Sequence, residues 1–146
     1  MSASSKFFQV TETYFRTEMG ILYPGVPIMF ENASKKYPNN GHWVKFHILT
    51  GKSFPASLGR RKVKRTVEVI HASVFAPEGV GAGMSREIGD AIAAMFEFRS
   101  FSIEGATHTI KYRAAIVKGA EDPVSGLHKT IVTIDGWRDE PHTTPG

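Results

Sequence analysis

Apolar and polar positions alternate most clearly between Arg65 and Phe98, and this stretch organises the chain. RTVEVIHASVFAP reads as a long strand, with Val67, Val69, His71, Ser73 and Phe75 facing one way and Glu68, Ile70, Ala72, Val74 and Ala76 the other. Up to Glu68 one side is apolar; beyond Ile70 both are. Such a strand needs a helix on one face and a further element, or another subunit, on the other. After the glycine loop Glu78–Gly83, Ser85 is placed to cap a helix starting at Arg86. Ile88, Ala91, Ile92, Met95 and Phe96 recur there at helical spacing, leaving Glu87, Asp90, Ala94 and Glu97 outside. Gly89 within that helix costs about 1 kcal/mol relative to alanine.

Residues 4–20 carry a second helical stripe of Phe8, Thr11, Phe15, Met19 and Leu22, with Phe7 and Tyr14 beside it. Gly20 and the Tyr23-Pro24-Gly25 turn end it. Val26–Glu31 is a short strand that Pro27 confines to an edge or to the strand's beginning. Asn32–Gly41 is a polar loop, His42–Thr50 alternates as a strand, and Lys52–Gly59 is a connection broken by Pro55. The two strands flanking this projecting loop pair antiparallel. Past the second helix, Ser100–Ile103 offers a short strand, Thr107–Val117 alternates, Gly119–Leu127 turns, and His128–Trp137 closes the sheet.

The expected architecture is one α+β domain over residues 1–138 in the order α-β-β-β-α-β-β. Two helices pack on a mostly antiparallel sheet of four to five strands. The polar, proline-bearing residues 139–146 are expected to form a disordered tail.

Composition sharpens this picture in three places. With 41% hydrophobic and 11% aromatic residues the chain can bury a real core. No apolar run is long enough to span a bilayer, and the first residues lack a secretory pattern. The absence of cysteine excludes disulfides and thiolate metal sites and fits a reducing compartment. The net charge of +4 is uneven: residues 1–65 carry 11 Lys+Arg against 3 Asp+Glu, residues 66–146 carry 7 against 11. Halves of opposite sign meet either within one subunit or between subunits around a ring.

Candidate chemistry is sparse. Gly79, Gly81 and Gly83 precede a helix, but Met84 stands where the dinucleotide fingerprint wants glycine, and no Lys-Ser/Thr pair makes a phosphate loop. A tight turn explains the glycines. His42, His47, His71, His108, His128 and His142 show no metal spacing, and His71 reads as a hydrogen-bonded core residue. No nucleophile elbow surrounds Ser85 or Ser125. These patterns imply no enzyme, no cofactor and no metal. Arg60, Arg61, Lys62, Lys64 and Arg65 form the one dense cationic cluster; it suits a subunit contact, a DNA phosphate contact, or a solvated loop that resists edge pairing. Its aromatics are too few for a single-strand stacking platform. Trp43 and Trp137 read as core or interface anchors.

The order of elements resembles the tail terminator (tail completion) proteins of long-tailed bacteriophages. The matching pieces are the N-terminal helix, Pro27-Ile28-Met29-Phe30-Glu31-Asn32, the strand opening Trp43-Val44, the Gly59-Arg60 turn and the long strand ending Ala76-Pro77-Glu78-Gly79. The Gly81–Gly83 link, the helix ending at Phe96 and the strands closing near Trp137 complete it, over roughly residues 4–138. The resemblance implies a structural virion protein at the neck of the tail, present in the host cytoplasm during assembly. It would form a hexameric ring on the tail tube, stop tube polymerisation and present a docking surface to a head-completion or neck protein. Its partners would be copies of itself, the tube protein, the neck protein and DNA in the channel. The family carries no catalytic residues to transfer. The competing reading is a nucleic-acid-binding module using Arg60–Arg65.

Overall fold

A computed structural model of the protein describes residues 3–30, 41–56, 61–77, 79–103, 108–121 and 128–143. Two helices, α1 (Ala3–Leu22) and α2 (Gly83–Phe96), accompany six strands. These are β1 (Ile28–Phe30), β2 (Trp43–Pro55), β3 (Arg61–Phe75), β4 (Ser100–Ile103), β5 (His108–Glu121) and β6 (His128–Thr143). They form one sheet in the order β1-β2-β3-β6-β5-β4. Helix α2 carries the chain from β3 to the far edge, and the β4-β5-β6 meander brings it back to the middle.

The α+β class and two helices agree with the sequence, whereas the expected four to five antiparallel strands become six in a mixed sheet. Ser100–Ile103 is a full edge strand, paired from Ser100↔Lys111 to Ile103↔His108. β1 runs parallel to β2, Ile28 opposite Val44. The residues between them are enough for the crossover that parallel neighbours require. β6 also continues past Arg138, where the composition places a tail, and pairs with β3 as far as Arg61↔Thr143. Polar residues extend the strand because a neighbouring strand satisfies their backbone groups.

Both helices lie on one face. Phe7, Thr11, Phe15 and Met19 form the buried ridge of α1, each four residues from the last, while Leu22 at its end is exposed. Phe15 stacks on Phe46 of β2 at 4.2 Å between ring centroids and approaches Phe96 of α2 at 6.3 Å. The Tyr14 hydroxyl donates to the Met95 carbonyl at 3.0 Å, tying the helices together. Ile70, Ala72, Val74, Ile110, Val132 and Ile134 supply the sheet side of this core. Each large side chain buried here contributes about 1.5–3 kcal/mol.

Helix α2 starts at Gly83, two residues after Gly81, so Ser85 is not its cap. Ser85 is buried, donates to the Ala82 carbonyl at 3.0 Å and accepts from Thr130 of β6 at 3.3 Å. It fastens the helix to the sheet. Gly89 sits where a Cβ would meet the Thr130 methyl at 2.7 Å, so its helix-propensity cost permits a close helix-to-strand approach. Of the glycine loop, Gly79 adopts a positive φ of 78°, the turn conformation expected.

Candidate interaction surface

Among the described residues no helix covers the opposite face of the sheet. At one end it is closed by this chain's own side chains: Trp43 stacks on Phe75 at 4.1 Å and Met29 joins them. β3 is therefore buried on both faces from Ala72 to Ala76, as its alternation requires, and the second cover comes from within the subunit. Towards the other end the same face opens. Leu49 of β2 and Ile116 of β5 are 50% and 65% exposed, and Val67, Val69, Ile131 and Trp137 between them are only partly covered. Phe54, Arg65, Val67, Arg113, Asp135, Gly136 and Trp137 line a cavity of about 390 Å³ there. The Trp137 indole N–H is buried with no acceptor among the described residues, an arrangement that costs about 1–3 kcal/mol unless a partner supplies one.

The register fixes which charges share this face. Lys45 is level with Ser73, Lys118 with Ile131, and Lys111 with Trp137. With Arg113 these are exposed, and Asp135 is the exposed carboxylate among them. His47 and His71 face each other across β2 and β3 with ring centroids 4.9 Å apart. His71 is thus half-buried on the helix-free face, not in the helix-covered core as its apolar neighbours imply. Burial first, and then the positive charges of His47, Lys129 and Lys45, hold it below the ordinary imidazole pKa.

The basic cluster is strand, not projecting loop, from Arg61 onward. A bulge between Thr50 and Ser53 lets β2 continue to Pro55, and Ala56 N–H closes onto the Val63 carbonyl at 2.7 Å. Arg60 lies outside the described residues, and Arg61 and Lys62 are placed by backbone pairing alone. Arg65 makes two bonds to Asp139, 2.8 Å from Nε and 3.0 Å from Nη2, with its guanidinium 5.0 Å from the Trp137 ring centroid. Lys64 is 3.7 Å from Glu140. The oppositely charged halves of the sequence therefore meet, at these residues, within the chain.

On the helix side Arg138 bridges Glu68 at 3.4 Å and Glu140 at 3.3 Å, with Glu68 wholly buried. Thr50 donates to Glu68 at 2.8 Å. Desolvation raises the Glu68 carboxyl above its usual pKa, against the opposing pull of Thr50 and Arg138. Among the described residues no three His, Asp or Glu side chains stand where they would hold a metal, and no helix is long and apolar enough to cross a membrane.

The model of a family described as phage tail terminator protein matches residues 9–135. The chain belongs to this tail terminator family. No curated protein matches it. A solved structure without a descriptive name matches 100% of this chain and is itself matched over 100% of its length. At 15% identity and a TM-score of 0.65, it speaks for the fold alone. The terminator match reaches from the middle of α1 to β6 and so takes in both helices and the open sheet face.

Sequence reasoning missed the exposed apolar residues of this surface, Leu49, Phe54 and Ile116. Local bulges hide them: the irregularity between Tyr112 and Ala115 moves Ile116 off the face of Ile110 and Tyr112, and the one between Thr50 and Ser53 carries Phe54 onto the face of Leu49.

Proposed function

We propose that this tail terminator acts as a structural ring at the end of the tail tube, stopping tube polymerisation and presenting a docking surface to the head or neck. The family match over residues 9–135 carries this reading. The open sheet face supports it: exposed Leu49 and Ile116, with the partly covered Val67, Val69, Ile131 and Trp137 set among charged residues, suit an association site. A protein that works this way needs shape and complementary surfaces, not a turnover site. Its place is the virion tail, after assembly in the host cytoplasm. Its partners are further copies, six in a closed ring, with the tube protein on one side and the neck protein on the other. The channel of such a ring admits DNA.

The competing reading through Arg60–Arg65 loses support at Lys64 and Arg65, whose charges are already answered by Glu140 and Asp139. Contact of this cluster with a neighbouring subunit remains part of the proposal through Arg60, Arg61 and Lys62.

Electron microscopy and native mass spectrometry with purified tail tubes test the ring. A closed oligomer at tube ends, and tubes of defined length in its presence, is the expected result. A protein that stays monomeric and leaves tube growth unchanged refutes it.

A further inference from the structure

Among the described residues the exposed large apolar side chains fall on two surfaces. Leu49, Phe54 and Ile116 belong to the sheet, with Leu49 and Ile116 on its helix-free face. Ile21, Leu22, Val80, Met84 and Phe98 belong to the helix side. The second set is patterned. Val80 precedes α2, Met84 lies in its first turn and Phe98 follows its end, while Glu87, Asp90 and Ala94 are exposed between them, so that together they make an outer ridge along the helix. Glu87, Asp90 and Ala94 face away from Ile88, Ile92 and Met95, which fill the core.

Phe98 gives the ridge an independent mark. It is 73% exposed and holds a left-handed φ of 58°, which a bulky residue adopts only when its surroundings impose it. The surroundings do so on both sides. Phe98 N–H donates to the Arg113 carbonyl at 3.3 Å, and the Glu97 carboxylate accepts from the Ala115 N–H at 2.7 Å. The backbone is pinned to β5 so that an aromatic ring is presented to solvent.

Charge identifies what the ridge meets. Glu87 and Asp90 are exposed on the outer side of α2, whereas the helix-free face exposes Lys45, Lys111, Arg113 and Lys118. Arg86 on the helix has a counterpart in the exposed Asp135. Dimensions agree: fourteen helical residues span about 21 Å, close to the length of β6 from Lys129 to Asp135 at about 3.3 Å per residue. We propose that the outer ridge of α2 in one copy docks on the helix-free sheet face of the next copy. This inference rests on the ring reading and supplies the contact it needs. The two surfaces are different patches on one molecule, so the interface is head-to-tail and closes into a ring when the rotation per copy is right.

Charge-swapped copies test it. Glu87→Lys/Asp90→Lys makes both surfaces basic; Lys45→Glu/Lys118→Glu makes both acidic. All four sites are exposed, so melting curves should match those of the parent protein. Each variant alone should lose ring assembly on tail tubes by about tenfold or more in concentration, and an equal mixture should recover it in rings that alternate the two copies. Phe98→Asn, a residue that tolerates the left-handed conformation far better, should weaken assembly while raising or preserving the melting temperature.

Variants that assemble alone like the parent overturn the proposed interface and leave the ring reading standing, as does a mixture that fails to recover. A parent protein that never forms rings on tubes removes both. If Lys45→Glu/Lys118→Glu assembles normally but loses salt-sensitive duplex DNA binding, the face serves nucleic acid and the proposal is wrong.

Discussion

Replacing Gly89 with alanine sets two physical effects against each other at one atom. Helix propensity alone makes the substitution favourable by about 1 kcal/mol, because glycine surrenders more backbone freedom in the helix. The structure places the new methyl 2.7 Å from the Thr130 Cγ2 and 3.4 Å from the Val132 Cγ2. Thr130 is fully buried, and its hydroxyl donates to Ser85, so its side chain cannot rotate away without breaking that bond. Overpacking of this kind costs about 1–3 kcal/mol. The net is a loss of about 1 kcal/mol, seen as a melting temperature lower by about 3 °C for a chain of this size. Thr130→Ser removes the offending methyl and keeps the hydroxyl. In that background Gly89→Ala should instead stabilise, by up to about 1 kcal/mol, giving a coupling of about 2 kcal/mol in the double-mutant cycle. Thermal and urea unfolding of the four proteins measure it. Gly89→Ala raising the stability of the parent, or shifting both backgrounds equally, would refute the close-approach argument.

Four further outcomes follow from the geometry. Phe15→Ala removes the ring stacked on Phe46 from the centre of the core and should cost about 3–5 kcal/mol in urea unfolding; a loss below about 1 kcal/mol would show that α1 is not docked this way. Gly136→Ala puts a Cβ 2.6 Å from the Lys111 carbonyl, which cannot move without breaking the sheet, so it should destabilise by at least about 1–3 kcal/mol. A raised folded-state pKa at Glu68 means that its contribution is present at low pH and lost as pH rises through the folded value. Relative to Glu68→Gln, the parent should therefore lose ground as pH rises above the ordinary carboxylate range, and a parent advantage that grows with pH contradicts the burial argument. Arg65→Ala, taken from a side chain 35% exposed, should cost no more than about 1 kcal/mol, shrinking at about 0.5 M salt; a larger or salt-insensitive loss would mean packing on Trp137 dominates.

Where a pattern depends on local periodicity, the amino acids reveal it directly. The two helices, the long central strand and the apolar positions Ile88, Ile92, Met95 and Phe96 follow from spacing alone, since burial on one side of a regular element leaves its period in the sequence. Boundaries were less legible. Polar residues such as Ser53, Asp139 and Glu140 look like loop or tail, yet join strands because a neighbouring strand takes up their backbone hydrogen bonds. Ser85 has the chemistry of a cap and instead binds across to Thr130, a partner 45 residues away that no local pattern announces.

The surface was the least visible part. Alternation divides β3 and β6 into two faces and shows that both are apolar in β3, but it cannot place the bulges that switch faces within β2 and β5, or say that both helices settle on the same side. That choice belongs to chain connectivity: α1 packs on β2 and on α2, and α2 crosses the same face on its way from β3 to β4. The sequence by itself determined the α+β class, the helical stripes, the lack of any cysteine chemistry and the opposite signs of its two halves. Tertiary structure alone decided that Arg65 and Asp139 answer each other within one chain, that Phe98 is held out to solvent, and that one sheet face stays open. These are relations between residues distant in sequence, and pairing energies across such distances leave no period to read.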